Sequence, residues 1–469
     1  MMPIPSAAII LAAGKSSRMK SRQPKTLHPV CGLPLTMHVV KACRDAGVDK
    51  IVVVIGHEGE QVKQHLSADP ELEFANQTEQ RGTGDAVNAA ADHFTGWLGT
   101  ILVLAGDAPL IRPETISELL ASRSRPGVLL TMATAVLDDP TGYGRIVRSA
   151  EGRVEGIVEE RDATPEQREI KEWNPSVYAF DAETLWKTLT EIRPNNSQGE
   201  FYLTDTVSIV AKSGTVVETV RVADPTETLG VNTRVELAEA DRLMRKRILR
   251  RLMLSGVSIV DPTNTYIDAN VTIGQDTIIL PNTMIAGTTT IGPDCTIGPS
   301  TNLNNCSVGE RCTIVSSQIV NSVLENGVRV GPFANIRPGS YLCDDVKIGD
   351  FVELKNTRLN QSVQVNHLSY LGDTTVGANT NIGAGTITCN FNGFDKNPTT
   401  IGENAFIGSH STLIAPLTIP DGVIVAAGSI IPANTIISEN ALAIARPETS
   451  VKAEWASRYR AAKANRTQK

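Results

Sequence analysis

Aliphatic residues recur at every sixth position through much of the second half of the chain. Ile267, Ile273, Ile279, Ile285, Ile291, Ile297 and Leu303 hold that spacing. After slips of five it resumes at Leu324, Val330, Ile336, Leu342, Ile348 and Leu354, and it returns at Ile401, Ile407, Leu413, Ile419, Val425 and Ile431. Glycine often follows the aliphatic residue, as in Ile273-Gly274, Ile291-Gly292, Val330-Gly331, Ile348-Gly349 and Ile407-Gly408. A period of six kept up over about 160 residues predicts a solenoid of short parallel strands, with each aliphatic side chain pointing inward and a small residue turning the corner. Such a prism has little internal room, which suits a chain whose aromatic content is only 4%.

The first 230 or so residues follow a different pattern. Ala8–Leu11, Ile51–Ile55, Ile101–Ala105 and Val128–Ala133 read as strands. Leu35–Ala46, Gly59–His65, Asp85–Phe94 and Pro113–Ser122 read as the helices between them, which predicts parallel βαβ units in a doubly wound sheet. Ligands of that fold bind at the carboxyl ends of the strands. Val235–Leu254 reads as one helix: Leu237, Met244, Ile248 and Leu252 mark its apolar face, and Arg242, Arg245, Lys246, Arg247, Arg250 and Arg251 form a solvated remainder. The expected organisation is therefore α/β plus all-β: a Rossmann-like domain over 1–234, a helical linker over 235–255, and a hexapeptide-repeat parallel β-helix with a C-terminal tail over 256–469. A solenoid needs end caps, and the tail from Arg446, with Trp455 and a basic end, is expected to supply one.

With 469 residues, a hydrophobic share of 41% and a charged share of 20%, the chain can bury real cores. A net charge of −7 argues against a wrapped nucleic-acid partner. No apolar run reaches the roughly 18 residues that would span a bilayer, so no membrane partner is expected. Ala7–Ala13 runs into Gly14-Lys15 with no cationic residue before it, and reads as a strand rather than a signal peptide. Seven cysteines without a C-x-x-C pair argue against a disulfide framework and against zinc, and the expected compartment is the cytoplasm.

Two sets of residues carry chemistry. In the first half, Leu11-Ala12-Ala13-Gly14-Lys15-Ser16-Ser17-Arg18-Met19 follows the first strand directly. Its small residues let backbone approach a ligand, and its successive amides can cradle an anion. It is neither a Walker A loop nor a dinucleotide fingerprint, and a generic glycine turn is the competing reading. Asp107, in Ala105-Gly106-Asp107, ends a strand where a carboxylate can hold Mg²⁺; a helix cap before Pro109 is the alternative. Gln77 offers a donor and an acceptor to a base edge, while Gly82-Thr83-Gly84 either approaches that base or caps the helix that follows. In the second half, Arg337, Lys355, His367 and Asn381 interrupt the repeat, and a 13-residue break covers Thr388–Thr400. A break in a repetitive scaffold usually marks a loop built for binding.

The string Leu11-Ala12-Ala13-Gly14-Lys15-x-x-Arg18-Met19, with Pro24-Lys25 beyond it, resembles the sugar-1-phosphate nucleotidyltransferases. Joined to the hexapeptide solenoid, the whole chain resembles the bacterial bifunctional N-acetylglucosamine-1-phosphate uridyltransferase / glucosamine-1-phosphate N-acetyltransferase family. The resemblance implies acetylation of glucosamine-1-phosphate by acetyl-CoA, then Mg²⁺-dependent uridylyl transfer from UTP to N-acetylglucosamine-1-phosphate, feeding peptidoglycan and lipopolysaccharide synthesis. It implies that Leu11, Ala12, Ala13, Gly14, Ala105, Gly106, Gln77, Gly82 and Thr83 line the nucleotide site, with Lys25 and Arg18 screening its phosphates. Asp107 and Asn232 (Gly230-Val231-Asn232) would bind the metal, and Tyr143-Gly144-Arg145, Glu159 and Asn174 the sugar. In the solenoid it makes His367 the general base, a role that suits the pKa of histidine. Arg337 and Lys355 would neutralise the sugar phosphate, and Tyr370 and Asn381 would orient the sugar. Ala384, Asn390, Phe391, Ser409, Ala427 and Arg446 would line the acetyl-CoA site. It also implies a homotrimer of left-handed solenoids with shared acetyl sites; the hand follows from the resemblance alone, since general connection rules favour the right.

Four positions depart from the family. Pro175-Ser176 stands where Thr-Gly is usual, Ala105 where some relatives have tyrosine, and Phe391 where tyrosine is typical. His410 matches no catalytic motif and reads as structural. Two alternatives remain beside the bifunctional reading: a nucleotidyltransferase whose solenoid is only an oligomerising arm, and a protein-binding scaffold. Neither needs Arg337, Lys355, His367 and Asn381 beside the Thr388–Thr400 break.

Overall fold

A computed structural model describes residues 4–14 and 17–466. The chain divides into two compact units, Met1–Ile248 and Leu249–Lys469, and the division falls inside helix Arg234–Leu254.

The first unit is built on one large sheet. Strands Leu72–Asn76, Lys50–Ile55, Ser6–Leu11 and Thr100–Ala105 lie side by side in that order and run parallel. Alternate residues of these strands feed two separate cores. Ala7, Ile9, Val52, Val54, Ile101 and Val103 enter one, while Ala8, Ile10, Ile51, Val53, Leu102 and Leu104 enter the other. A strand covered on both faces must be apolar throughout, which is why these segments read as unbroken hydrophobic runs. Helix Leu35–Asp45 covers one face through Val39, Val40 and Cys43, all fully buried.

The sheet is mixed rather than wholly parallel. Tyr178–Asp181 inserts antiparallel between Thr100–Ala105 and Leu130–Val136. It then turns at once into helix Ala182–Glu191, whose first turn Asp181 caps by accepting from the Thr184 amide at 3.1 Å. Glu172–Trp173 and the hairpin Arg145–Arg148/Val154–Val158 extend the sheet beyond Leu130–Val136. The helix expected from Asp85 starts earlier, at Thr83, and stops at Asn88, with a 3-10 turn over Ala91–Phe94. Along Arg234–Leu254, Ala240, Ile248, Leu249 and Leu252 are buried, whereas Leu237 and Met244 are half-buried. One of its arginines departs from the solvated pattern: Arg247 donates inward to the Leu110 carbonyl.

The second unit winds through three parallel sheets of 11, 10 and 9 strands, each strand two to four residues long. Equivalent aliphatic positions stack coil upon coil: Ile279 on Ile297, Ile314 on Val330, Ile348 on Val365, Ile382 on Ile407. The six-residue pattern is therefore the repeat of one face and one corner. Corners are turned by residues in the left-handed region, among them Asp294, Asn321, Asp345, Asn356, Asp373 and Asn404, types whose short polar side chains tolerate it. Inward threonines close corners by bonding local carbonyls, as Thr283 does to Leu280 and Thr386 to Gly383, both at 2.7 Å. Among the described residues the C-terminal tail does not cover the end of its own solenoid beyond the bond from Arg446 to Ala427. It is exposed from Arg446 to Lys463, with Trp455 and Tyr459 stacked on one another at 5.1 Å at the start of helix Trp455–Arg466.

Candidate active sites

The four parallel strands end on one edge of the first sheet, and a cleft of about 1120 Å³ opens there. Leu11, Ala12, Ala13 and Gly14 form one wall. The Ala12 amide donates to Val54 at 2.8 Å and that of Gly106 to Leu11 at 2.9 Å, so both loops leave their strands under restraint. A Cβ on Gly56 would stand 2.9 Å from that of Ala13, so the approach of these two loops depends on glycine. Open space surrounds Gly14, leaving its backbone accessible. Lys15 and Ser16 of this motif lie outside the described residues.

The expected charged groups meet on the floor. Lys25 pairs with Asp107 and donates to Asn232 Oδ1 at 3.0 Å, and Arg18 Nη2 reaches the same oxygen at 2.9 Å. Asp107 follows strand Thr100–Ala105, and Asn232 precedes the long helix. The Val231 amide ties the two segments by donating to the Asp107 carbonyl at 2.9 Å. Two hard oxygens, from a carboxylate and an amide, thus converge on a cation position. That donor set fits Mg²⁺, which takes one or two protein ligands and completes its shell with phosphate oxygens and water.

The opposite wall carries the other residues expected for the nucleotide and sugar. Gln77 is buried, and its Nε2 donates to the Gly82 carbonyl at 3.2 Å and to Asp85 at 2.9 Å. Its amide oxygen is what remains for a ligand. Gly82 caps helix Thr83–Asn88 and also lines the cleft. Its φ is +119°, and a Cβ would lie 2.5 Å from the Phe201 carbonyl oxygen. Thr83 accepts from the Leu203 amide at 3.0 Å. Ala105 and Glu159 also line the cleft. Glu159 accepts from Thr204 at 3.2 Å; burial, with Asp162 and Asp205 nearby, pushes its carboxyl above the ordinary range. Gly144 leaves room beside it, 3.4 Å from Glu159 Oε2 to where a Cβ would be. Tyr143 packs on Trp173, ring centres 4.1 Å apart and planes tilted by 48°, and Arg145 is buried against Glu160 at 2.8 Å, so these two support the wall from behind. Asn174 is buried as well, its amide donating to the Tyr178 hydroxyl at 2.7 Å and accepting from the Ser176 amide at 3.1 Å. Ser176 and Tyr178 are the ones that reach the cleft. His57, Gln80 and Glu200 line it too and were missed from sequence; Gln80 donates to the Ala13 carbonyl at 2.9 Å.

On the solenoid the expected residues gather at two successive corners. At the first, His367 Nδ1 lies 2.5 Å from Asp350 Oδ1, one coil before it in register. The imidazole holds the Asp350 carboxyl below its ordinary range. Backbone bonds carry this corner on: Gly385 to His367 at 3.2 Å, His410 to Ala384 at 2.7 Å, Gly428 to Ser409 at 2.8 Å. Ala384, Ser409 and Ala427 therefore continue one column below Asp350 and His367, and Arg446 Nη1 donates to the Ala427 carbonyl at 2.9 Å. Asn381 begins the strand leading to Ala384.

At the second corner, Lys355 is in register with Gly372, and Arg337 lies on the coil before, paired with Glu353 at 2.9 Å. A Cβ on Gly372 would lie 2.4 Å from the Tyr370 hydroxyl and 2.7 Å from Asn390 Nδ2, so both side chains close over that glycine. The predicted break forms a loop between strands Ile387–Cys389 and Thr399–Ile401, pinned by Asn390 to Asp373 and bridged between Phe391 and Lys396. Phe391 is exposed on it. Lys396 was not singled out from sequence. Its ammonium faces that of Lys355 and, with Arg337, pulls the Lys355 pKa down. Three cations at one corner, two of them crowding each other, make a place for a dianion.

A mixed α/β sheet with an oxygen pair and two cations at the ends of its parallel strands, joined to a hexapeptide solenoid bearing a histidine–carboxylate pair, defines a nucleotidyltransferase coupled to a hexapeptide acyltransferase. Comparison with known families agrees. Residues 8–170 match the MobA-like NTP transferase domain, 270–305 the bacterial transferase hexapeptide of six repeats, 298–383 the GlmU-like C-terminal hexapeptide, and 398–433 the hexapeptide repeat of succinyl-transferase. The chain is 46% identical over 439 residues to the bifunctional protein GlmU of Geobacillus sp. (strain WCH70), covering 94% of this chain and 95% of that one. It is 45% identical over 448 residues to that of Acetivibrio thermocellus, covering 96% of each, and 46% identical over 451 residues to that of Brevibacillus brevis, covering 96% of this chain and 97% of that one. The chain belongs to the bifunctional GlmU family, and its solenoid is the left-handed parallel β-helix of hexapeptide repeats. Among the described residues no helix is long and apolar enough to cross a membrane.

Proposed function

We propose that this chain makes UDP-N-acetylglucosamine in two steps, one in each unit. The solenoid transfers acetyl from acetyl-CoA to the amine of glucosamine-1-phosphate. The first unit joins the resulting N-acetylglucosamine-1-phosphate to the uridylyl group of UTP and releases pyrophosphate, and the product supplies peptidoglycan and lipopolysaccharide synthesis. The observation that carries this reading is that each set of motif residues gathers at a place of its own: Arg18, Lys25, Asp107 and Asn232 on one cleft floor, and His367, paired with Asp350, above the Ala384–Ser409–Ala427 column.

For uridylyl transfer, Asp107 and Asn232 would hold Mg²⁺, which neutralises phosphate charge when bound. An oxygen of the sugar phosphate attacks the α-phosphorus while the bond to the β-phosphate breaks, so the protein's work is positioning and charge screening. Lys25 exchanges its contact with Asp107 for a phosphate, and Arg18 screens the departing pyrophosphate. Gln77 presents its amide oxygen to the base, because both its amide hydrogens are used by Gly82 and Asp85. Leu11, Ala12, Ala13, Gly14, Gly82, Thr83, Ala105 and Gly106 frame the nucleotide. Gly144 and Glu159 hold the N-acetyl sugar, and Asn174 acts on it through Ser176, which it places at the edge of the sugar site.

For acetyl transfer, the amine attacks the thioester carbonyl, its proton passes to His367 Nε2, and CoA leaves as the thiol. Asp350 accepts from Nδ1–H and fixes the tautomer that leaves Nε2 free to take a proton. Arg337, Lys355 and Lys396 neutralise the sugar phosphate at the neighbouring corner, while Tyr370 and Asn381 orient the ring. The strand between the corners, Tyr370–Gly372, spans about 10 Å, so a substrate along it meets the base at one end and the cations at the other. Ala384, Asn390, Phe391, Ser409, Ala427 and Arg446 line the acetyl-CoA path, and Phe391 contributes a ring without a hydroxyl.

The chain works as a homotrimer in the cytoplasm, with acetyl sites shared between copies. The corner after Asp350 and His367 supports this, since Phe333, Phe351 and Leu368 are exposed there and the first two stack at 5.3 Å. Single substitutions separate the two reactions. His367→Ala should lower acetyl transfer by about 10² to 10⁴ and leave uridylyl transfer unchanged, and Asp107→Ala should do the reverse. Equal loss of both activities in either variant would overturn the two-site reading.

A further inference from the structure

Asp107 and Asn232 sit on segments far apart in the chain. Asp107 belongs to the loop between strand Thr100–Ala105 and helix Pro113–Arg123, and Asn232 ends the segment that follows the 3-10 turn Pro225–Thr228. The Val231–Asp107 backbone bond holds these segments together at the metal end. At the far end the link is a side chain. Glu227 is 2% exposed, accepts from the Arg112 amide at 3.1 Å, and is reached by the Thr115 hydroxyl at 3.0 Å. Arg112 Nη2 donates to Asp224 at 2.8 Å, and Arg247 donates to the Leu110 carbonyl while facing Asp224 at 3.8 Å.

A buried carboxylate is costly unless it is paired and hydrogen-bonded. Burial pushes the Glu227 carboxyl above its ordinary range, opposed by Thr115, Arg112 and Arg247. An apolar side chain could fill this space at lower cost, yet it could not grip the first turn of helix Pro113–Arg123 by both amide and hydroxyl. We infer that Glu227 is a positioning residue for uridylyl transfer, clamping the Asp107 loop to the Asn232 segment so that their two oxygens keep the separation a divalent cation needs. The inference rests on the assignment of the metal to Asp107 and Asn232. It adds a residue that touches neither metal nor substrate.

The test measures Mn²⁺ binding to the full chain in the presence of UTP, by the electron paramagnetic resonance signal of the free ion, beside the Mg²⁺ dependence of uridylyl transfer. Loss of a group that orients a metal ligand commonly weakens metal binding by 10-fold or more, so Glu227→Ala should raise the Mn²⁺ dissociation constant roughly 10-fold. The Mg²⁺ concentration at half-maximal rate should move with it, while acetyl transfer stays unchanged. Glu227→Gln keeps an acceptor for Arg112 and Thr115 and should recover most of the affinity. Arg123→Ala, which breaks the buried Arg123–Asp181 pair at the far end of the same helix, is the control: it should lower thermal stability without moving Mn²⁺ affinity. If Glu227→Ala lowers stability but binds Mn²⁺ as the unaltered protein does, while Asp107→Ala loses it, the positioning role is refuted alone. If Asp107→Ala binds Mn²⁺ normally, the metal assignment fails and the inference fails with it.

Discussion

Glu159 is an acid placed where its charge is expensive. Burial and two neighbouring aspartates raise its pKa in the folded chain, whereas in the unfolded chain it titrates near the ordinary value of about 4.3. The folded chain therefore binds more protons between those two values. Its contribution to stability is fully present below about 4.3 and is lost as pH rises through the raised folded value. Glu159→Gln abolishes this loss. Denaturant unfolding at a series of pH values should show the variant gaining on the unaltered protein as pH rises toward neutrality, while its KM for N-acetylglucosamine-1-phosphate increases. A pH-independent difference between the two would rule out a raised pKa at this position. At the other site Lys355 is crowded by the Lys396 ammonium, which lowers its pKa until a dianion arrives. Lys396→Gln should raise the KM for glucosamine-1-phosphate by about 10-fold, the value of one charged hydrogen bond, with the KM for acetyl-CoA unchanged. Equal shifts in both would place Lys396 outside the phosphate corner.

Among the elements, the turn at Gly82 joins two loops that the chain brings together from a distance. The Phe201 amide donates to Arg81 at 2.7 Å, and the Gly84 amide to Phe201 at 2.8 Å, across Gly82 in a backbone region that side chains avoid. Gly82→Ala should force these loops apart, lowering the melting temperature of the first unit and weakening UTP binding, with acetyl transfer as the unaffected reference. Unchanged UTP affinity would separate the turn from the nucleotide. Elements of this kind divide what sequence can reveal from what it cannot. The solenoid was legible because each inward position is set by the repeat alone, and the strand ends at Leu11 and Ala105 because a buried parallel strand must be apolar on both faces. Gly82 was legible as a turn, but its partner Phe201 was not, since nothing local links residues so far apart. Asn174 matched a family motif, yet its neighbour Ser176 is the one that faces the cleft, a consequence of a turn in which Ser176 adopts a φ of +58°. Asp350 and Glu227 carried no pattern; their meaning comes from partners supplied by coil stacking and by chain crossing.

At the scale of the molecule, two compact units with separate ligands should respond to those ligands separately. UTP with Mg²⁺ at about 100 times its dissociation constant should stabilise the first unit by about 2.7 kcal/mol, and acetyl-CoA should act in the same way on the second. Calorimetry should show each ligand moving a different transition, and one transition moved by both would mean the units unfold together. Ile348 is 1% exposed within the solenoid. Ile348→Ala should cost that unit about 2 to 5 kcal/mol and reduce acetyl transfer, leaving the UTP-responsive transition where it was.

The column of Asp350, His367, Ala384, Ser409 and Ala427 puts the proposed base and the proposed thioester path on a ladder whose rungs are about 4.8 Å apart. Backbone cannot slide between rungs, because each strand is locked to the coils on either side. Such a scaffold behaves as a ruler marked in whole coils. Inserting or deleting one coil below His367 would carry every lower contact a full rung along, and no smaller adjustment is open to the main chain. Fitting a longer or shorter acyl donor must therefore come from side chains at fixed marks, or from a loop such as the one carrying Phe391 and Lys396, which leaves the ladder and returns to it in register.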